Sequence, residues 1–156
     1  MPEVHEEVVN VKLADILNAE LGIDARPERP RGKHRPDIRI YHKGFSIIVE
    51  SSYDQKDAEN DAKARVEEGL ADIAIALELT KQYKDIPESE LYKEIKESRF
   101  NARVFVAEGT EGAWLEFLEK KPKIPKPTGG WFVGIEIPVL LDIIDAATEY
   151  LISADR

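Results

Sequence analysis

The feature that most constrains this fold lies over residues 45–78, where a strand-type run is followed by a helix-type run and then at once by a second strand-type run. Residues 45–51 (FSIIVES) are rich in isoleucine, valine and an aromatic, and residues 72–78 carry an apolar run of strand length. Between them, residues 54–70 place Ala58, Ala62, Val66 and Gly69 on one helical stripe, small enough to pack closely on a sheet. A helix leading directly into an apolar strand is a crossover unit, which makes the two strands it joins parallel. Residues 37–41 form a further strand in front. His42, Lys43 and Gly44 separate it from 45–51, a short connection with a glycine available for positive φ, which predicts an antiparallel hairpin. The chain is therefore α/β with a mixed sheet.

Around this frame, residues 4–21 carry Val9, Leu13, Ile16 and Leu17 on one helical face, closed by Gly22. Residues 26–36 hold Arg26, Arg29, Arg31, Lys33 and Arg35 among three prolines, which predicts an extended or irregular basic segment. Further helices are expected over 88–98, 111–119 and 139–153, the last starting just after Pro138, and strands over 101–107 and 131–137. The proline- and glycine-interrupted stretch 120–130 reads as a long loop and GTEG at 109–112 as a turn. Trp114, Phe117, Leu118, Trp131 and Phe132 read as core or interface. Residues 1–156 are expected to form a single domain, its core over 4–107 and its last strand and helix over 131–155.

Composition removes whole classes of chemistry. There is no cysteine, which excludes disulfide frameworks, thiolate zinc sites, iron–sulfur ligation and a cysteine nucleophile. A three-histidine zinc site would need all of His5, His34 and His42. Metal ligation thus falls to carboxylates, which select magnesium, manganese or calcium. The GxSxG elbow of a serine hydrolase and the GK[ST] ending of a phosphate-binding loop are lacking. The N-terminus has no signal pattern and no apolar window of spanning length, so the expected location is the cytoplasm, with no membrane partner. A formal net charge of −9 argues against indiscriminate binding to nucleic acid. That average conceals a polarity, however: residues 26–43 carry seven Lys or Arg against Glu28 and Asp37, a local +5 that leaves −14 for the rest. A basic strip on an acidic protein can steer a polyanion into one cleft.

Two carboxylates stand out. Asp37 opens the first hairpin strand and Glu50 ends the second. Neighbouring strands lie about 5 Å apart, so carboxylates near one end of a hairpin can share a divalent cation held about 2.0–2.6 Å from each. Two isolated acids at strand ends are otherwise ordinary surface charges. Glu50, however, directly follows Ile47, Ile48 and Val49, so its carboxylate is desolvated unless something pairs with it.

The order of these parts resembles the PD-(D/E)XK nuclease superfamily over residues 4–80: a helix with an acidic residue, a basic segment, Pro36–Asp37, a hairpin, an apolar run ending in Glu50, then a helix and a parallel strand. The resemblance implies a restriction-endonuclease-like mixed sheet flanked by helices, with an αβββαβ core, near archaeal Holliday junction resolvases and restriction endonucleases. It implies magnesium or manganese held by Asp37, Glu50 and the backbone carbonyl of Ser51. Glu6 on the first helix completes the set, with Glu7 and Glu20 as alternatives. Ser52 stands where the family has its lysine, and serine cannot replace that charge. Lys56, Lys63 and Arg65 on the following helix are the available donors, of which Lys63 is preferred on side-chain chemistry, with Lys56 also a catalytic candidate. Gln55 is placed to hydrogen-bond a phosphate or the attacking water.

The implied function is that of a magnesium-dependent endonuclease hydrolysing DNA phosphodiester bonds, in restriction or repair, with Arg31, Lys33, Arg35, Arg39, Lys43 and Gln55 contacting DNA. The alternative is a catalytically inactive nuclease-fold module for nucleic-acid recognition or protein assembly. The final helix carries Val139, Ile143, Ala147 and Tyr150 on one stripe, with Leu140, Leu141, Ile144 and Leu151 beside it. That surface is wide enough to bury against the domain or to form a homodimer.

Overall fold

The computed structural model describes residues 2–27 and 38–154. Helix α1 (Pro2–Leu21) turns through Gly22, at φ +67°, into strand β1 (Asp24–Pro27). Strands β2 (Ile38–His42) and β3 (Phe45–Ser52) form the expected antiparallel hairpin. Lys43 and Gly44 close it with φ of 53° and 86°, both positive, as a two-residue turn matched to the strand twist requires. Helix α2 (Gln55–Glu67) then crosses to β4 (Ile73–Glu78), which runs parallel to β3. A 3₁₀ turn (Lys81–Asp85), helix α3 (Glu88–Glu97), strand β5 (Arg99–Val106), helix α4 (Glu111–Glu119), strand β6 (Trp131–Glu136) and helix α5 (Ile137–Ala154) complete the order. The architecture among the described residues is α/β: one mixed sheet in the order β1-β2-β3-β4-β5-β6, antiparallel except between β3 and β4, flanked by five α-helices.

Period-two alternation decides what each face of the sheet holds. Ile73, Ile75 and Leu77 point, with Ile47 and Val49, into a large apolar cluster shared with α1, α3, α4 and α5. The intervening Ala74 and Ala76 face the other way and meet Ala58 and Ala62 of α2. All four alanines are fully buried, so α2 lies directly on the sheet with almost no side-chain volume between them.

Three elements differ from what the sequence predicts. The extended or irregular segment expected from residue 26 begins inside a strand that is not itself anticipated: Asp24–Pro27 pairs with β2, Asp24 opposite Tyr41 and Pro27 opposite Ile38. The Asn18 side chain serves the outer edge of this strand: its amide donates to the Ala25 carbonyl and its Oδ1 accepts the Ala25 N–H. One side chain thus replaces a neighbouring strand. The 3₁₀ turn is not foreshadowed by periodicity. It buries Tyr83, whose hydroxyl donates to Ser98 Oγ at 2.5 Å. Finally, α5 begins at Ile137 rather than after Pro138, because a proline in the first turn forfeits no intrahelical hydrogen bond. Its apolar face, including Leu140, Ile143, Ile144, Ala147, Tyr150 and Leu151, is buried within the chain, which covers the surface expected to support a homodimer.

The hairpin turn is fastened to α5, since His42 Nε2 lies 2.7 Å and Lys43 Nζ 3.1 Å from Asp145 Oδ1. Burial alone would push the Asp145 carboxyl up; hydrogen bonds and charge from His42 and Lys43 outweigh it and hold the group below its usual 3.8. A carboxylate lowered in this way stabilises the fold above its usual value, and the contribution is lost as pH falls through the lowered one. Asp145→Asn is therefore expected to remove that part of the acid sensitivity below about pH 4. At neutral pH it is expected to cost about 1 kcal/mol or less, because the pair is partly open to solvent. Urea unfolding across a pH series reads both effects. Among the described residues, no helix is long and apolar enough to cross a membrane.

Candidate functional site

Strand β3 delivers its residues alternately to the two faces of the sheet. Ile47, Val49 and Ser51 take the face of the large cluster, leaving Ile48, Glu50 and Ser52 on the face covered by α2. Glu50 stands beside Ala76 of β4 and one residue past Val49, which is opposite Ile38 at the described start of β2. Its residue is 2% exposed.

The partner that a desolvated Glu50 demands comes from α2 and is Arg65. Arg65 Nε donates to Glu50 Oε1 at 2.6 Å, and the two side chains are 7% and 3% exposed. Taking either charge out of water costs several kcal/mol, so each is tolerable at this depth because of the other. Arg65 also influences Asp61, one helical turn earlier. Burial pushes the Asp61 carboxyl up, Arg65 opposes that shift and Asp57 adds to it.

Ser51 is fixed from the opposite face. Its hydroxyl donates to Asn10 Oδ1 of α1 at 2.5 Å, with both residues buried. Asn10 is a site residue that the helical pattern of α1 does not single out, although it lies one turn before the buried Leu13 and Ala14 and would otherwise be an unexplained polar group among them. The direction of the Ser51 carbonyl follows from its neighbours. The Ser46 and Ser52 carbonyls accept the Asp72 and Leu79 N–H groups on the β4 side, at 2.9 and 2.8 Å. Carbonyls alternate along a strand, so that of Ser51 faces the β2 side.

The other expected site residues divide into three groups. Asp37, Arg31, Lys33 and Arg35 lie outside the described residues, as do the side chains of Glu6, Glu7 and Glu20. Arg39 stands opposite both Ile48 and Arg26, so Arg26 and Arg39 rise from the sheet face that carries Glu50; Arg39 donates to Ser46 Oγ at 3.0 Å. The remaining residues are placed elsewhere. Lys63 is exposed and lines a depression with Val66, Val104, Phe105 and Trp114, on the β5 side of α2 rather than the β3 side. Lys56 is exposed at the start of α2. Lys43 is held by Asp145, and Gln55 donates to Glu78 Oε1 at 3.2 Å, which Asn101 also contacts at 3.1 Å. Ser52 serves the turn into α2: its hydroxyl accepts the Asp54 N–H at 3.0 Å, and Asp54 in turn caps the helix by accepting from the Asp57 N–H.

A buried carboxylate and an adjacent main-chain carbonyl are hard oxygen donors, and Glu50 and Ser51 therefore fit a magnesium or manganese ion as two of its ligands. Among the described residues no group of three His, Asp or Glu gathers to hold a metal by itself. Comparison with known proteins finds no family model, no curated protein and no solved structure that matches the chain.

Proposed function

We propose that this chain is a magnesium- or manganese-dependent endonuclease hydrolysing DNA phosphodiester bonds, with Arg65 providing the positive charge that Ser52 lacks. The observation that carries this reading is the buried Arg65–Glu50 pair, which brings a guanidinium from the following helix to the carboxylate that ends the apolar run of β3. Glu50, the Ser51 carbonyl and Asp37 would hold the metal. A bound divalent ion supplies Lewis acidity and a water of lowered pKa. Arg65 offers planar N–H donors to phosphate oxygens, a geometry that suits arginine better than lysine. Arg26 and Arg39, on the same sheet face, receive the DNA backbone together with the basic segment that follows Pro27. In this reading Asn10 positions Ser51, and through it the end of β3.

The same ion pair also favours a second reading. Arg65 already balances Glu50 without a metal, which suits a catalytically silent nuclease-fold module that binds nucleic acid or organises an assembly. Incubation of supercoiled plasmid, branched and single-stranded DNA with magnesium or manganese separates the two. The wild-type protein is expected to nick DNA. Asp37→Asn is expected to abolish the activity and Arg65→Met to lower it by about 10²–10³, the usual size of a lost transition-state donor. Absence of cleavage on every substrate with either metal gives the second reading.

A further inference from the structure

We infer that the cleft at the carboxyl ends of β3 and β4 is a nucleotide subsite, in which Glu78 reads the exocyclic amine of a cytosine while Lys81 and Arg99 take its phosphate. This rests on the DNA-cleaving reading above for its polymer substrate, but the cleft is built from described residues alone. Strands β3 and β4 are the one parallel pair in the described sheet, and ligands of α/β sheets sit outside the carboxyl ends of such strands. Glu78 closes β4 there, opposite Ser52 and two residues beyond Ala76, on the sheet face that carries Glu50. Its carboxylate is aimed from three elements. Gln55 of α2 and Asn101 of β5 both donate to Glu78 Oε1, at 3.2 and 3.1 Å, and Asn101 Oδ1 accepts the Gly134 N–H of β6 at 3.0 Å. The pairing of β5 with β6 is irregular at this point, with Gly134 at φ +65°, a backbone setting that favours glycine and marks a bulge. Two donors occupy Oε1, and Oε2 has no hydrogen-bond partner among the described residues. Glu78 borders a cleft of about 320 Å³ together with Thr80, Lys81, Arg99 and Asn101. Lys81 is exposed, and Arg99 is held only loosely by Glu136 at 3.6 Å, with side chains 70% and 58% exposed. One carboxylate beside two cations fits a bare anion poorly and matches a ligand with an N–H donor at one end and an anion at the other. Cytosine offers its N4 amine to a carboxylate, whereas thymine and uracil place a carbonyl oxygen there.

The side-chain amide signals of Gln55 and Asn101 in ¹H–¹⁵N spectra of the full chain report on the cleft directly. In chelator, titration with dCMP is expected to shift both signals with a millimolar Kd. Binding of dUMP should be about tenfold weaker, because its O4 would face Glu78 Oε2. Glu78→Gln keeps a carbonyl oxygen for the Gln55 and Asn101 donors and puts an amide N–H₂ in place of Oε2. It is expected to reverse the preference in favour of dUMP, a change that a loss of structure does not produce. The double variant Lys81→Ala/Arg99→Ala is expected to weaken both nucleotides equally, by about tenfold, as the loss of phosphate contacts does. Equal affinity of the wild type for dCMP and dUMP would overturn the base contact, and so would inorganic phosphate shifting the two amides as strongly as dCMP. If neither nucleotide moves either signal at millimolar concentration, the subsite itself fails. The DNA-cleaving reading falls separately: a dCMP preference that reverses in Glu78→Gln, in a protein that cuts no DNA with magnesium or manganese, would keep the subsite and remove the nuclease.

Discussion

Glu50→Ala is expected to abolish DNA cleavage and to destabilise the fold by about 3–5 kcal/mol, a large share of the stability of a domain this size. The reason is asymmetric. Alanine removes a buried carboxylate, which is itself no loss, but takes the 2.6 Å acceptor from the Arg65 Nε–H of a side chain only 7% exposed. Glu50→Gln retains an acceptor oxygen for the Arg65 Nε–H and is expected to cost about half as much in stability while losing the same activity. The double variant Glu50→Leu/Arg65→Met removes both charges and fills the space. It is expected to be at least as stable as the wild type, by up to about 4 kcal/mol, and inactive. Urea unfolding of Glu50→Leu, Arg65→Met and the double variant closes the cycle. A cost below about 1 kcal/mol for Glu50→Ala would mean that the pair is solvated, as surface pairs are.

The need of Glu50 for a partner is legible in the sequence, because three consecutive apolar residues precede it; the identity of that partner is harder to read. Lys56, Lys63 and Arg65 all lie on the following helix, and a preference based on side-chain chemistry selects Lys63. Helical arithmetic selects otherwise. At 100° per residue, Arg65 falls about 20° from Ala58, the centre of the buried stripe, whereas Lys63 falls about 140° away. The exposed Lys63 and the buried Arg65 follow that arithmetic. The hairpin, the crossover and the parallel pairing of β3 with β4 are legible for a related reason, since each rests on a local period that tertiary contacts reinforce. Strand β1 is not, because its pairing depends on Asn18 meeting the Ala25 backbone across a turn. The role of Asn10 is hidden in the same way: nothing local reveals that its amide oxygen accepts from Ser51, 41 residues further on. The apolar width of α5 is legible, but periodicity does not distinguish a face covered by the chain's own sheet from one left for a second copy.

Ala62→Leu is expected to damage activity beyond what its loss of stability explains. Ala62 has no exposed surface, and its neighbours across the interface are Ala74 and Ala76, so three added carbons have no vacant volume to enter. Overpacking of this kind costs about 1–3 kcal/mol, and α2 relieves it by lifting from the sheet. Two ion pairs cross that same interface, Arg65 with Glu50 at 2.6 Å on the β3 side and Arg103 of β5 with Glu59 at 2.8 Å on the other. Neither tolerates a lift without losing hydrogen-bond geometry. A displacement of about 1 Å at a site that aligns reacting groups can lower the rate by about 10². The variant is therefore expected to remain folded by circular dichroism and to unfold at lower urea, with plasmid cleavage down by about two orders of magnitude. Lys63→Leu, one residue along and on the exposed side of the helix, should change stability by no more than about 0.5 kcal/mol and leave cleavage intact. Equal rates for Ala62→Leu and the wild type would show that the site does not depend on how closely α2 lies on the sheet.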